Sequence, residues 1–162
     1  MDTHEEQTNP RIDTLFCRQQ AGHLIVPQLA IAEIIDMTVT QDFENSPCVI
    51  GTTHWRNASL IVCSSTALLT GSKPIKPSAQ KILVMHKLYT KETPKFYGIA
   101  IDNAPKMQRF SADAFSEDNQ DTRDGILCQT QVEGETAFIL DLNFIENAIT
   151  ALVADDSNAN TT

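Results

Sequence analysis

Apolar residues in this chain gather in short runs, at 14–18, 23–26, 33–37, 49–53, 60–63, 82–86, 96–101, 106–110, 126–132 and 137–140. Gly, Pro, Asn and Asp punctuate the gaps. Runs of that length with that punctuation predict strands. Ten of them in close succession predict a β-sandwich or barrels rather than alternating β/α units. Two places break the pattern. Residues 66–70 predict a single helical turn, ended by Gly71 as C-cap. From Asp141, a good N-cap residue, Leu142, Ile145, Ile149 and Leu152 recur at helical spacing. They predict a helix to about Val153 that covers an open barrel edge or core.

A length of 162 residues predicts one domain, which can bury about two-thirds of its unfolded surface without a metal or disulfide staple. The domain is expected over 12–152. Polar tails at 1–11 and 153–162 are expected to be disordered. Pro74 and Pro77 mark 72–80 as a connector that divides the strands five and five. The Asp-, Glu- and Ser-rich loop 112–124 is expected to be mobile. The polar start carries no basic, then apolar, leader, and no run is long enough to span a bilayer. A cytoplasmic protein with no direct membrane insertion is the expectation.

Charge narrows the partners. The net charge of -9 argues against nucleic acid. Its distribution is uneven. Residues 73–109 hold seven Lys and one Arg against Glu92 and Asp102, a balance of +6. Residues 110–146 hold nine acids against Arg123, a balance of -8. Basic and acidic strands lying side by side on a sheet would explain this. A two-signed surface that steers a charged partner is the sharper account.

No local pattern announces catalysis. Cys17, Cys48, Cys63 and Cys128 are scattered without a C-x-x-C pair, so reduced, buried, inert thiols are expected. His4, His23, His54 and His86 show no nucleophile or zinc signature, and there is no phosphate-binding glycine loop. Asp102 and Asp141 read as a strand-end turn former and a helix N-cap rather than an acid–base pair. No catalytic residue, cofactor or metal ligand is therefore predicted. A metal enzyme assembled from distant His and Cys residues is the weakest alternative.

The most informative stretch is 47–62, which reads as strand, tight turn, strand. Gly51 interrupts the apolar run from Cys48, where a strand can bend. Trp55-Arg56-Asn57 forms the turn, and Asn57 tolerates positive φ. Trp and Arg at a hairpin tip are the residue types enriched at binding hot spots. This stretch resembles the central motif of the CheW family of chemotaxis coupling proteins. Pro47, Val49 and Gly51 match its lead-in, Arg56 its turn arginine, Trp55 its apolar turn position and Leu60-Ile61-Val62 its following strand. Further likenesses follow in order: Leu24-Ile25-Val26-Pro27 with Ile31-Ala32-Glu33-Ile34-Ile35, then Leu68-Leu69-Thr70-Gly71, Tyr97-Gly98-Ile99-Ala100-Ile101-Asp102, and 134–142 with Ile145. They cover the chain from about Ile12 to Leu152. Two departures stand out: Asn57 replaces the turn glycine, and Ser64-Ser65 replaces the acid that often follows the strand.

The resemblance implies two five-stranded SH3-like β-barrels sharing one hydrophobic core, with a short C-terminal helix. It implies a non-enzymatic adaptor between methyl-accepting chemoreceptors and a CheA-type histidine kinase. One barrel would dock on the kinase regulatory domain, and a groove near the barrel junction would receive the cytoplasmic hairpin tip of the receptor. The partner-binding residues expected are Arg56 and Trp55, with Glu33, Ile34 and Ile35 on the adjacent strand, and Val49 and Leu60 in the receptor groove. Gly51, Asn57 and Gly98 are expected to serve the backbone. The departures suggest an accessory paralogue, for instance in a chemosensory system controlling type IV pilus twitching. An SH3-like peptide-binding module unrelated to chemosensing is the alternative.

Overall fold

The computed structural model describes residues 11–20, 22–38, 41–42, 48–72, 79–90, 94–111, 116–118, 124–132 and 134–159. Its strands form two six-stranded sheets. One runs, in spatial order, β10 (Ser116–Asp118), β11 (Ile126–Val132), β12 (Glu135–Leu140), β2 (His23–Pro27), β1 (Arg11–Cys17) and β9 (Lys106–Ser111). The other runs β3 (Ile31–Asp36), β7 (Lys81–His86), β8 (Phe96–Ile101), β6 (Ala58–Ser64), β5 (Val49–Trp55) and β4 (Gln41–Asp42). Each sheet holds five of the expected strands plus one short edge strand, β10 or β4. The expected mainly-β class of two five-stranded units with a C-terminal helix is borne out.

The way the chain is shared between the sheets differs from expectation. The connector does not separate the barrels: β7 and β8 follow it, yet pair with β3 and β6. β1 and β2 precede it, yet complete the sheet of β9 and β12, with β2 parallel to β12. A linear split cannot foresee that, because pairing follows which faces need covering. Residues 73–78 of the connector lie outside the described residues, as do 1–10, 160–162, Pro47 and most of the loop 112–124.

Alternation then builds three cores. Strand side chains point to opposite faces in turn. Leu15, Cys17, Leu24 and Val26 of the first sheet meet Ile61, Cys63, Leu83, Met85, Tyr97, Ile99 and Ile101 of the second in one shared core. The alternate residues fill the two barrels. Phe16, Ile25, Phe110, Val132 and Ala137 fill one, and Ile50, Val62, Ile82 and Ala100 the other. Gly98 falls on the barrel side of β8, where a Cβ would stand 2.8 Å from Ile82 Cγ2 and 3.3 Å from Val62 Cγ2. Only glycine fits without displacing one of them.

Both helices start where their caps require, and α1 stops there too. Ser64 Oγ accepts from the Ala67 amide at 3.1 Å to open α1 (Ser65–Thr70), and Gly71 closes it at φ 74°. Asp141 Oδ1 accepts from the Phe144 amide at 3.1 Å to open α2 (Leu142–Ala159). Leu142, Ile145 and Ile149 lie in the shared core, with Leu152 and Val153 against it. α2 outruns the expected end at Val153 because no Gly or Pro follows to break it. Arg11, expected in the tail, is the first residue of β1.

The charge asymmetry is not explained by neighbouring strands. β7 lies beside β3, which carries Glu33 and Asp36, and β9 lies beside β1, so neither basic strand is paired with a strand of the acidic stretch 110–146. Lys81 pairs with Asp36 on β3, and Arg109 Nε lies 2.6 Å from Asp13 Oδ1 on β1. In the acidic half, Glu135 pairs with Arg18, whose guanidinium holds that carboxyl below its usual range.

Three cysteines are buried and Cys128 is half-buried. Burial pushes the Cys17 thiol up to about 12. The Cys63 thiol is raised by its hydrogen bond with Cys48 and then by burial. The Tyr97 phenol is raised by burial and then by the Glu146 carboxylate. In each case the fold favours the neutral form. For Cys17 that contribution is complete below the unfolded thiol value of about 8.5 and is lost as pH rises toward about 12. The unfolding free energy from urea titrations should therefore fall between about pH 8 and about pH 10, by up to about 1.4 kcal/mol per pH unit for each thiol that ionises only on unfolding. Cys17→Ala should flatten that decline, and an unchanged slope would show that the thiol does not contribute.

Candidate functional site

The hairpin of β5 and β6 turns in two residues. Trp55 pairs with Ala58, and Arg56 and Asn57 span the gap at φ 47° and 62°. Positive φ at both central positions is the type I′ turn that suits a right-twisted hairpin. Asn accepts this conformation readily. Arg does so at a cost of about 1–2 kcal/mol. Trp55 is thus the last strand residue, and the turn itself is Arg56-Asn57.

One carboxylate on β3 organises this tip. Glu33 Oε2 accepts from Trp55 Nε1 at 2.7 Å and lies 3.3 Å from Arg56 Nη2. The Arg56 guanidinium carbon sits 4.7 Å above the Trp55 ring. Beneath, Trp55 meets Phe96 edge-to-face at 4.9 Å and packs with Leu60 and Val84. β3 and β5 are not hydrogen-bonded neighbours in the sheet. Glu33–Trp55, and Thr38 Oγ1 to Thr53 Oγ1 at 2.8 Å, close the barrel through side chains instead.

Magnitudes separate the roles. The Arg56 side chain is 71% exposed and that of Glu33 41%. Their ion pair is worth about 0–1 kcal/mol and the stacking on Trp55 about 0.5–1 kcal/mol. Together they offset the turn strain and add little more. Their effect is to orient a guanidinium outward on a rigid base. Trp55, by contrast, is buried and belongs to the fold.

A CheW-like domain family model matches residues 13–148, most of the chain. The chain belongs to the CheW-like domain family. A solved structure with a similar fold is the scaffolding protein TtCheW from Thermoanaerobacter tengcongensis, with a TM-score of 0.65 and 11% identity, over 87% of this chain and 91% of that one. At that identity the likeness shows the fold alone. No match was found among curated proteins. The family comprises scaffold proteins rather than enzymes, and membership supports an adaptor role in chemotaxis signalling.

Within this CheW-like domain the expected site residues divide. Arg56, Trp55 and Glu33 come together, Ile34 is exposed beside them, and Ile35 is half-buried against Trp55. Val49 and Leu60 do not line a groove. Val49 is fully buried in the shared core and Leu60 lies inside the barrel beneath Trp55. β5 and β6 are covered on both faces, so their apolar residues have no surface to offer. Gly51 follows a register shift between Val49 and itself, the bend its position suggested. Ser64-Ser65 has a structural account. Ser64 caps α1, and Ser65 Oγ lies 2.6 Å from the Ala100 carbonyl oxygen and also contacts Gln19. That ties the end of β1 to β8 across the two sheets.

The structure also shows features the sequence pattern did not single out. At the junction of the sheets an open cleft of about 670 Å³ is lined by Ile12, Pro27, Leu29 and Ile31, with Arg11 and Asp13 at its side. Leu29 is 92% exposed. The signal was a Leu in the short 3-10 turn Gln28–Ala30, between two strands where a turn would ordinarily be polar. On α2, Glu146 is fully buried. It lies on the helix's core-facing stripe beside Ile145 and Ile149, where an acid is out of pattern. Among the described residues no group of His, Cys, Asp and Glu could hold a metal, and no helix is long and apolar enough to cross a membrane.

Proposed function

We propose that this protein is a cytoplasmic docking adaptor. Its Arg56 tip binds the regulatory domain of a CheA-type histidine kinase, and its inter-barrel cleft receives the cytoplasmic hairpin tip of methyl-accepting chemoreceptors, recruiting it to their arrays. The observation that carries this is Arg56, held in a strained left-handed turn and aimed outward by Glu33 and Trp55. A non-glycine residue kept at such φ marks a position whose side chain matters more than turn stability. Ile12, Leu29 and Ile31 take the groove role first given to Val49 and Leu60. An apolar cleft of this kind suits the apolar face of a helix.

Titrating labelled protein with the kinase regulatory domain tests the tip. Binding in the micromolar range, about -8 kcal/mol, is expected. Arg56→Ala should weaken it about tenfold or more while changing stability by under about 1 kcal/mol. Equal affinity of wild type and variant would remove the turn from the interface. Leu29→Glu tests the cleft in the same way against a receptor hairpin fragment.

Asn57 and Ser64-Ser65 further suggest an accessory member, serving for instance type IV pilus twitching. Restoration of swimming chemotaxis in place of an ordinary coupling protein would sink that narrower reading. A proline-rich-peptide module is less well supported, since Trp55, the aromatic nearest the tip, is covered by Arg56 and Phe96.

A further inference from the structure

Residues 87–90, which follow β7, are held more firmly than a surface connection requires. The buried Glu146 carboxylate accepts from the backbone amides of Leu88, Tyr89 and Thr90, the last two at 2.7 and 3.3 Å. Lys87 Nζ donates to Thr150 Oγ1 at 2.7 Å, and the Lys87 amide donates to the Lys95 carbonyl at 2.9 Å. Burying a carboxylate carries a desolvation cost of several kcal/mol before its hydrogen bonds compensate. Yet the residues so fixed bury little in return: Leu88 is 55% and Tyr89 62% exposed. Fixing the backbone that carries exposed apolar side chains lowers the entropy cost of binding something else.

The surroundings define what that is. Beside the loop an open cleft of about 410 Å³ is lined by His86, Lys87, Leu88, Thr90, Lys95 and Phe96. Lys87, Lys95 and His86 contribute to its lining, and among the described residues no carboxylate does, on a chain whose net charge is -9. The cleft is continuous with the barrel end described above: His86 contacts Phe96 at 5.2 Å, and Phe96 contacts Trp55 at 4.9 Å.

We propose that residues 87–90, Lys95 and this cleft form a further docking surface that takes an acidic segment of a partner protein. A large apolar side chain of that segment seats against Leu88 and Tyr89, while its carboxylates face Lys87 and Lys95. The inference stands on the loop's own chemistry and does not require the Arg56 tip to be the kinase-docking turn.

The test is an amide-shift titration of isotope-labelled full chain with a synthetic peptide in which Leu and Phe alternate with Asp and Glu. Shifts should concentrate at residues 86–90 and 95–96 and shrink as salt is added. Lys95→Glu should weaken binding roughly two- to fivefold or more, and Tyr89→Ala should weaken it as well. Arg56→Ala should leave it unchanged, so the tip and the loop fail or succeed separately. A peptide with Lys in place of the acids should not bind. Shifts spread over other lysines, insensitivity to both loop variants, or equal shifts from inorganic phosphate would each overturn the proposal, the last by showing a small-anion site.

Discussion

Trp55→Ala should lose about 3–5 kcal/mol of folding stability, the cost of removing a buried aromatic side chain and leaving its space. Here the loss has three parts. Leu60, Val84 and Phe96 lose their packing partner. Glu33 loses the indole donor at 2.7 Å. Arg56 loses the ring beneath its guanidinium. For a domain whose whole stability is on the order of 5–15 kcal/mol, that approaches unfolding at ordinary temperature. Trp55→Phe separates the parts in large measure, since it keeps an aromatic ring in place and removes the N–H with a smaller loss of volume. It should cost about 1–3 kcal/mol, the size of one charge-assisted hydrogen bond. Thermal or urea unfolding measures both. If Trp55→Ala were nearly neutral, the barrel end would be held by something other than this ring.

Glu146→Leu should be the second most damaging change, though it replaces a buried charge with a side chain of similar size. The three amides of Leu88, Tyr89 and Thr90 would lose their common acceptor. About 1–3 kcal/mol per buried unsatisfied donor sets the scale. The loop can turn some of those amides toward water, so a net loss of about 3 kcal/mol is expected. The readout specific to the clamp is hydrogen exchange. The amides of residues 88–90 should exchange far faster in the variant than global destabilisation accounts for. Exchange rising only in step with global stability would mean that the carboxylate does not hold the loop.

Much of this architecture could be read in advance, and the reasons are physical. Runs such as 96–101 and 126–132 are bounded by turn residues and too short for helices, so their strand character follows from pattern alone. Gly71 and Asp141 announce helix ends because their chemistry fits few other roles. What could not be read is what depends on distant partners. β2 lies between β1 and β12, while β3, the next strand in sequence, joins the other sheet, and no local pattern encodes that choice. Val49 and Leu60 were placed at a surface because a short apolar run looks alike whether one face or both are covered. In this protein both are. Arg56 and Glu33 were legible as residues of interest through the family likeness. Their joint hold on Trp55 required the barrel to close. Glu146 was hidden for another reason: an acid within a helix reads as solvent-facing unless its helical position is set against the apolar stripe.

The parallel pairing of β2 with β12 has a consequence for how the molecule comes into being. A chain made from its N-terminus releases β1 and β2 first, and β9 and β12, which flank them, last. Until then those two strands have unpaired edges, open to association with other chains. The sheet built of β3 to β8 draws all its strands from the middle of the chain and meets no such delay. Assembly of the protein therefore ends where it began, with the earliest strands waiting for the latest to enclose them.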